Sequence, residues 1–177
     1  MHIQTLKYEE AEEALAGLTE VLVDCVSRGR GVSISFYPPL EPKRADAFWL
    51  SKFADLANGK RILLVAKEKT RIAGTVMLEL MQSDNQPHQA EVQKLLVHGD
   101  FRRQGIATTL MEAVEKTALD LGRTLLVLDT LKASPAEQLY RQMNWQEVGE
   151  IPWFVRSPDG LYESAMFFYK NLLATNG

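Results

Sequence analysis

The stretch "EVQKLLVHGDFRRQGIATTLMEAVEKTALDLG", residues 91–122, carries a strand, a two-arginine turn and an amphipathic helix in direct succession. From Ile106 onward the apolar side chains Ile106, Leu110, Val114, Ala118 and Leu121 recur on one helical face, Glu112 and Lys116 stand four apart on the other, and Gly122 occupies the C-cap position. The spacing predicts a helix over about 106–121. Its first turn has backbone N–H groups without intrahelical partners. With the positive end of the helix dipole these form a ready anion site. Arg102 and Arg103 reinforce it, and Gly105, with no Cβ, lets a ligand approach the backbone. A phosphate or pyrophosphate is the anion this arrangement suits, although an exposed arginine pair can equally serve only to solvate a loop.

Outward from this segment, "EEAEEALAGLTEVLVDCVSRG" has helical spacing with an acidic first turn and predicts one helix. "RGRGVSISFYPPLEPKR", with Gly29, Gly31, Pro38, Pro39 and Pro42, predicts a long irregular connection over about 28–43 that borders a binding site, followed by a helix near 44–57. "RILLVAKEKTRIAGTVMLELMQ" predicts a hairpin, "QAEVQKLLVH" a strand, and "TLLVLDT" another. A helix then starts near Ser134, and strands are expected around 146–151 and 162–170. The predicted order is β-α-α-β-β-β-α-β-α-β-β, a single mixed α/β (α+β) domain over 1–177 with about seven strands and about four helices.

Composition narrows the function. The chain has 177 residues, 46% hydrophobic and 24% charged, with a net charge of -3, which speaks against a general nucleic-acid binder. The one cysteine, Cys25, forms no internal disulfide and reads as a small buried hydrophobe. The three histidines show no metal-ligand spacing, so no metal is expected. No apolar run approaches the roughly 18 residues of a membrane span, and a cytoplasmic protein without membrane partners is expected. Neither the phosphate loop GxxxxGK[ST] nor the dinucleotide turn GxGxxG occurs.

The strand "VQKLLV" running into "RRQGIA" and a helix resembles the GCN5-related N-acetyltransferases (GNAT), whose pyrophosphate loop reads [RQ]-x-x-G-x-[GA]. Arg102, Gly105 and Ala107 fill the defining positions. Gly99 stands where that family often has proline, Arg103 where it often has glycine, and Ala107 replaces the second glycine. The resemblance covers about residues 1–171. It implies a twisted sheet in which the strands at 90–97 and 124–129 splay apart, with acetyl-CoA as co-substrate. The cofactor would then be bound by Leu95, Leu96, Val97, Arg102, Arg103, Gln104, Gly105, Ile106, Ala107, Thr108 and Ser134. "AEVQKL", "LDT", "AEQLY" and "VGEIPWF" with "PDG" are similar to the tabtoxin resistance branch of the family. That similarity implies acetylation of an amine on a small amino-acid-like molecule, a toxin or antibiotic among the candidates, by a monomer or homodimer.

The chemistry needs a base, because a primary amine of pKa about 10 is neutral in about one molecule per thousand at pH 7. It also needs a donor near the leaving thiolate. In "ASPAEQLYRQMNW", Ser134 as N-cap, Pro135 and Glu137 form a capping box that sets Tyr140 on the second helical turn. The resemblance makes Tyr140 the donor, while its neighbours Leu139 and Met143 also suit a core aromatic. Glu91 is one candidate base. Strand alternation puts it with Gln93 on one face and Val92 with Lys94 on the other. Asp129, ending the apolar run "LLVLD" at the C-terminal end of a strand, is the other. An edge-strand glutamate and an Asx-turn aspartate are the structural alternatives, and the choice of base stays open. Trp49, Trp145, Trp153, Tyr37 and Phe36 either line an acceptor pocket or fill the core. His98 lies beside the anion loop. A non-catalytic acyl-CoA-binding module would keep the loop and lack the chemistry at Glu91, Asp129 and Tyr140.

Overall fold

Aliphatic runs on either side of a charged turn pair as an antiparallel hairpin, β2 (Arg61–Glu68) with β3 (Arg71–Leu80), and Lys69 takes a left-handed φ of 55° in the turn. The computed structural model describes residues 1–28 and 35–173. Around the hairpin are β1 (His2–Leu6), α1 (Tyr8–Glu13), α2 (Leu15–Ser27), α3 (Pro42–Ala57) and β4 (Gln89–Val97), then a 3-10 turn at Gly99–Phe101. The chain continues through α4 (Ile106–Asp120), β5 (Leu125–Leu131), α5 (Pro135–Gln142), β6 (Gln146–Arg156) and β7 (Tyr162–Asn171). The part of the expected loop at 28–43 that falls on residues 29–34 lies outside the described residues.

The sheet has seven strands in the order β1-β2-β3-β4-β5-β7-β6. All neighbours run antiparallel except β4 and β5, which are parallel. The expected first helix is divided at Ala14 into α1 and α2, so the sheet carries five helices rather than about four. Strand alternation sends Leu64, Leu78 and Val92 to one face, where they pack with Leu110 and Val114 of α4 and Leu126 and Leu128 of β5. Leu63, Val65 and Met77 go to the other face and pack with Leu18 and Leu22 of α2 and Trp49 and Phe53 of α3. A Cβ at Gly74 would stand 2.7 Å from the Leu96 carbonyl oxygen and 3.1 Å from Leu110, so only glycine lets α4 seat this closely on β3. Lys116 pairs forward with Asp120 at 2.6 Å rather than back with Glu112.

Candidate active site

Hydrogen bonding between β4 and β5 covers only Gln89, Ala90 and Glu91 against Leu125, Leu126 and Val127. Beyond Glu91 the two strands part. The opening is a cleft of about 1010 Å³ whose walls come from β4, β5, α3, the start of α4, α5 and β6. Sequence distances of tens of residues are closed here by a single irregularity, a parallel pair that stops early.

At one end of the cleft lies the turn from β4 into α4. Six consecutive backbone N–H groups, Arg103 to Thr108, have no acceptor among the described residues, and the intrahelical ladder begins only with Thr109 donating to the Gly105 carbonyl at 3.0 Å. Gly105, the N-cap of α4, has a φ of 78°, and the space where a Cβ would project is open. The free N–H groups of Gly105 to Thr108, at the positive end of a 15-residue helix, are a donor set that suits a diphosphate. This donor set fits the pyrophosphate of coenzyme A. The Arg102 side chain turns back toward the exit of β4, where its Nε donates to the Val97 carbonyl at 3.2 Å. Arg103 lines the cleft and is exposed.

Of the residues expected to hold the cofactor, Leu95, Val97, Arg102, Arg103, Gly105, Ile106, Ala107 and Thr108 line this cleft. Leu96 does not. It pairs with Thr75 of β3, and its side chain is buried under α2 and α3. Gln104 does not line the cleft either, and its side chain donates to the Asp100 carbonyl at 3.4 Å. Ser134 is likewise off the cleft. It is buried as the N-cap of α5, accepting from the Glu137 N–H at 3.1 Å and lying 3.1 Å from the Thr130 hydroxyl. Its capping box is shifted by one residue, with the Glu137 carboxylate accepting from the Ala133 N–H.

Tyr140 combines both of its expected placements. It is 5% exposed and packs in the core, its ring 5.9 Å from those of Trp145 and Phe168, yet it also lines the cleft. Burial, with a smaller contribution from Asp129, pushes its hydroxyl well above the ordinary tyrosine range, so it keeps its proton at neutral pH and is available as a donor. Glu91 and Asp129 both line the cleft. Burial raises the Asp129 carboxyl above the usual aspartate range, opposed in part by the positive charge of Lys94. Glu91 sits across from Glu79 of β3, beside a polar cluster in which Arg61 meets Glu79 at 2.9 Å and Gln93 at 3.0 Å.

Lys94 departs from the expected alternation. Between Gln93, opposite Met77, and Leu96, opposite Thr75, β4 has one residue more than β3. Lys94 absorbs it at a φ of 50°, a left-handed conformation costing on the order of 1 kcal/mol in a non-glycine residue. This bulge rotates Lys94 off the Val92 face and onto the side of α3. Its Nζ lies 3.2 Å from the Ser35 hydroxyl and 5.7 Å from the ring centre of Phe48. Burial lowers its ammonium below the usual lysine range, with Asp129 opposing that shift and Lys52 adding to it. Bulge formation follows from strand pairing, which no residue spacing discloses.

None of the five aromatics weighed between an acceptor pocket and the core lines the cleft. Trp49 and Trp145 are core, Phe36 packs on Phe48, and Tyr37 caps the Arg156 carbonyl. Trp153 is 76% exposed on β6. The aromatic walls are instead Phe48, Phe101 and Phe154. Phe48 carries helical spacing that could have marked it; Phe154 had no signal. His98 is buried away from the cleft, its Nδ1 accepting from the Asp100 N–H at 3.2 Å. Cys25 is buried as expected, and its Sγ lies 3.5 Å from the Val97 carbonyl at the cleft wall. Among the described residues no group of three or more His, Cys, Asp or Glu is placed to hold a metal, and no helix is long and apolar enough to cross a membrane.

Residues 11–145 match the "Acetyltransferase (GNAT) family". Among solved structures, the chain is similar to the ribosomal-protein-alanine N-acetyltransferase from Brucella melitensis, at 17% identity and TM-score 0.75, covering 97% of this chain and 100% of that one. A putative acetyltransferase from Salmonella typhimurium, solved with its cofactor acetyl-CoA, aligns over 100% of this chain and 96% of its own at 14% identity and TM-score 0.75. A putative phosphinothricin N-acetyltransferase aligns at 16% identity and TM-score 0.76 over 97% and 99% of the two chains.

Proposed function

The chain belongs to the GNAT acetyltransferase family, as an acyltransferase that uses acetyl-CoA, and from that premise we propose that it acetylates the primary amine of a small amino-acid-like molecule by direct attack. The observation that carries this reading is the juxtaposition, in one cleft, of the free N–H groups at the start of α4 with the half-buried carboxyl of Asp129. The similarity of "AEVQKL" and "LDT" to the tabtoxin resistance branch supports an amino-acid-like acceptor, toxins and antibiotics included. We take the catalytic domain to span 1–177, which agrees with one sheet running from β1 to β7. A cytoplasmic setting and a monomeric or homodimeric state belong to the same reading, the first supported by the single cysteine.

Acetyl-CoA supplies a thioester-activated acetyl group with a thiolate as leaving group. The free N–H groups at the start of α4, Gly105 to Thr108, would hold its pyrophosphate. Arg102 fixes the β4 exit through the Val97 carbonyl, so the strand edge at Leu95 and Val97 stays aligned with the cradle. Asp129 is the base. It lines the cleft, and the raised pKa brings its proton affinity nearer to neutrality without reaching that of the amine. Asp129 would first hold the ammonium in place; once that group has lost one proton to water, the neutral amine would form the C–N bond as the C–S bond breaks, Asp129 taking the second proton and the departing thiolate taking one from solvent. Glu91 adds negative charge near the mouth of the β4–β5 gap. Tyr140, on the cleft wall, would keep its proton and stabilise the charge developing on the leaving thiolate by donating a hydrogen bond.

The test is acetyl-CoA-dependent thiol release with a panel of amino acids, their carboxamides and simple alkylamines, for the wild type and Asp129→Asn. Transfer to at least one primary amine, lowered in the variant by roughly 100-fold or more, is expected. Failure to acetylate any amine on the panel would sink the reading.

A further inference from the structure

The acceptor end of the cleft carries positive charge that the acetyl transfer does not use. Lys94 and Lys52 both line it, and both ammonium groups lie over the Phe48 ring, at 5.7 Å and 5.4 Å from its centre. Among the described residues neither forms an ion pair with a carboxylate and Lys94 Nζ donates only to the Ser35 hydroxyl, which leaves two of its three donors open there. Acids are close by, since Asp129 and Glu91 both act on Lys94 electrostatically, yet no carboxylate approaches within pairing distance. A half-buried lysine is costly unless its charge is answered. Here the chain also accepts a left-handed backbone at Lys94 to aim it inward.

We infer that Lys94, assisted by Lys52, binds an anionic group of the acceptor, so that the enzyme selects amines that also carry a carboxylate. The inference rests on the amine-acetylating reading above and adds to it the residue that sets specificity. A zwitterionic amino acid matches the wall charge for charge: its ammonium lies toward Asp129 and Glu91, its carboxylate toward Lys94 and Lys52. Phe48 supplies the floor that holds both lysines, through its ring face. The diphosphate cradle is separate, because it is built from backbone N–H groups beyond the end of β4, whereas Lys94 contacts Phe48 of α3 and Ser35.

The experiment compares kcat/KM for matched pairs, each amino acid against its carboxamide, which keeps the amine and the size but removes the negative charge. The wild type is expected to prefer the carboxylate by roughly 10- to 100-fold, the worth of one charge-assisted hydrogen bond. In Lys94→Met that ratio should collapse toward one, mainly through KM. Lys52→Met, on the more accessible face of α3, should lower the ratio partway, and it keeps the test decisive if Lys94→Met does not fold. Acetylation of amines with no preference for the carboxylate, or a preference untouched by both variants, overturns the inference and leaves the acetyltransferase reading standing. Absence of transfer to any member of the panel overturns both.

Discussion

The Thr75 hydroxyl donates a 2.9 Å hydrogen bond to the Lys94 carbonyl, bridging β3 to the bulged residue of β4. Thr75 is fully buried, so this bond satisfies a carbonyl that the bulge removes from the strand ladder. Thr75→Val preserves shape and leaves that oxygen unpaired. It should lose about 1–3 kcal/mol of stability in chemical denaturation and raise KM for the acceptor more than for acetyl-CoA. An equal rise in both would place the effect in the fold as a whole rather than in the position of Lys94.

Gly105→Asp puts a side chain on a backbone with a φ of 78° and a carboxylate into the open space above the cradle. Calorimetric titration of acetyl-CoA into wild type and variant should give binding that the variant loses by at least about 100-fold, since like charge and steric block act together. Retained affinity would remove the cofactor from the start of α4.

Tyr140→Phe keeps the ring between Trp145 and Phe168 and deletes the hydroxyl. Stability should change by less than about 1 kcal/mol, while kcat falls on the order of 10- to 100-fold with acetyl-CoA affinity unchanged. An unchanged kcat would assign Tyr140 to the core alone.

The raised pKa of Asp129 gives two pH signatures of known sign. As base it works deprotonated, so kcat/KM should fall as pH drops through a value above the ordinary aspartate range, and Asp129→Asn should flatten that limb. For stability, a folded pKa above the unfolded value favours the protonated form in the native state. The wild type is therefore relatively most stable below the unfolded pKa of about 3.9 and loses that increment as pH rises through the folded pKa. Asp129→Asn, which never charges, should be the more stable protein at neutral pH and lose that advantage in acid. Thermal melts from pH 3 to 8 check this, and an advantage that grows in acid would reverse the assignment.

Gly74→Ala places a Cβ 2.7 Å from the Leu96 carbonyl oxygen and against Leu110 and Ile106. Backbone cannot retreat as a flexible side chain can, so the substitution should cost about 1–3 kcal/mol in denaturant unfolding. No loss would mean α4 sits less tightly on β3 than the contact distances imply.

Local chemistry determined much of this protein in advance. The apolar face from Ile106 to Leu121, Gly122 with its φ of 73°, and the capping signals at Ser134 and Glu137 each act within a few residues, so α4 and α5 were legible directly from spacing. The unpaired N–H groups at the start of α4 were legible for the same reason, because they are a property of any helix start and Gly105 marks where one opens. The break at Ala14 was not legible, since the residues on both sides keep helical spacing. Nor was the side of the cleft away from α4. Phe48, Lys52, Lys94, Asp129 and Phe154 come from four separate elements, and they meet only because β4 and β5 stop pairing after Glu91. Lys94 is the sharpest case. Its alternation assigned it to the Val92 face, and one extra residue in β4 against β3 turned it to the other. Periodicity reports the face a residue takes in a regular strand, whereas a bulge is decided by the partner strand, and only the tertiary structure holds that information.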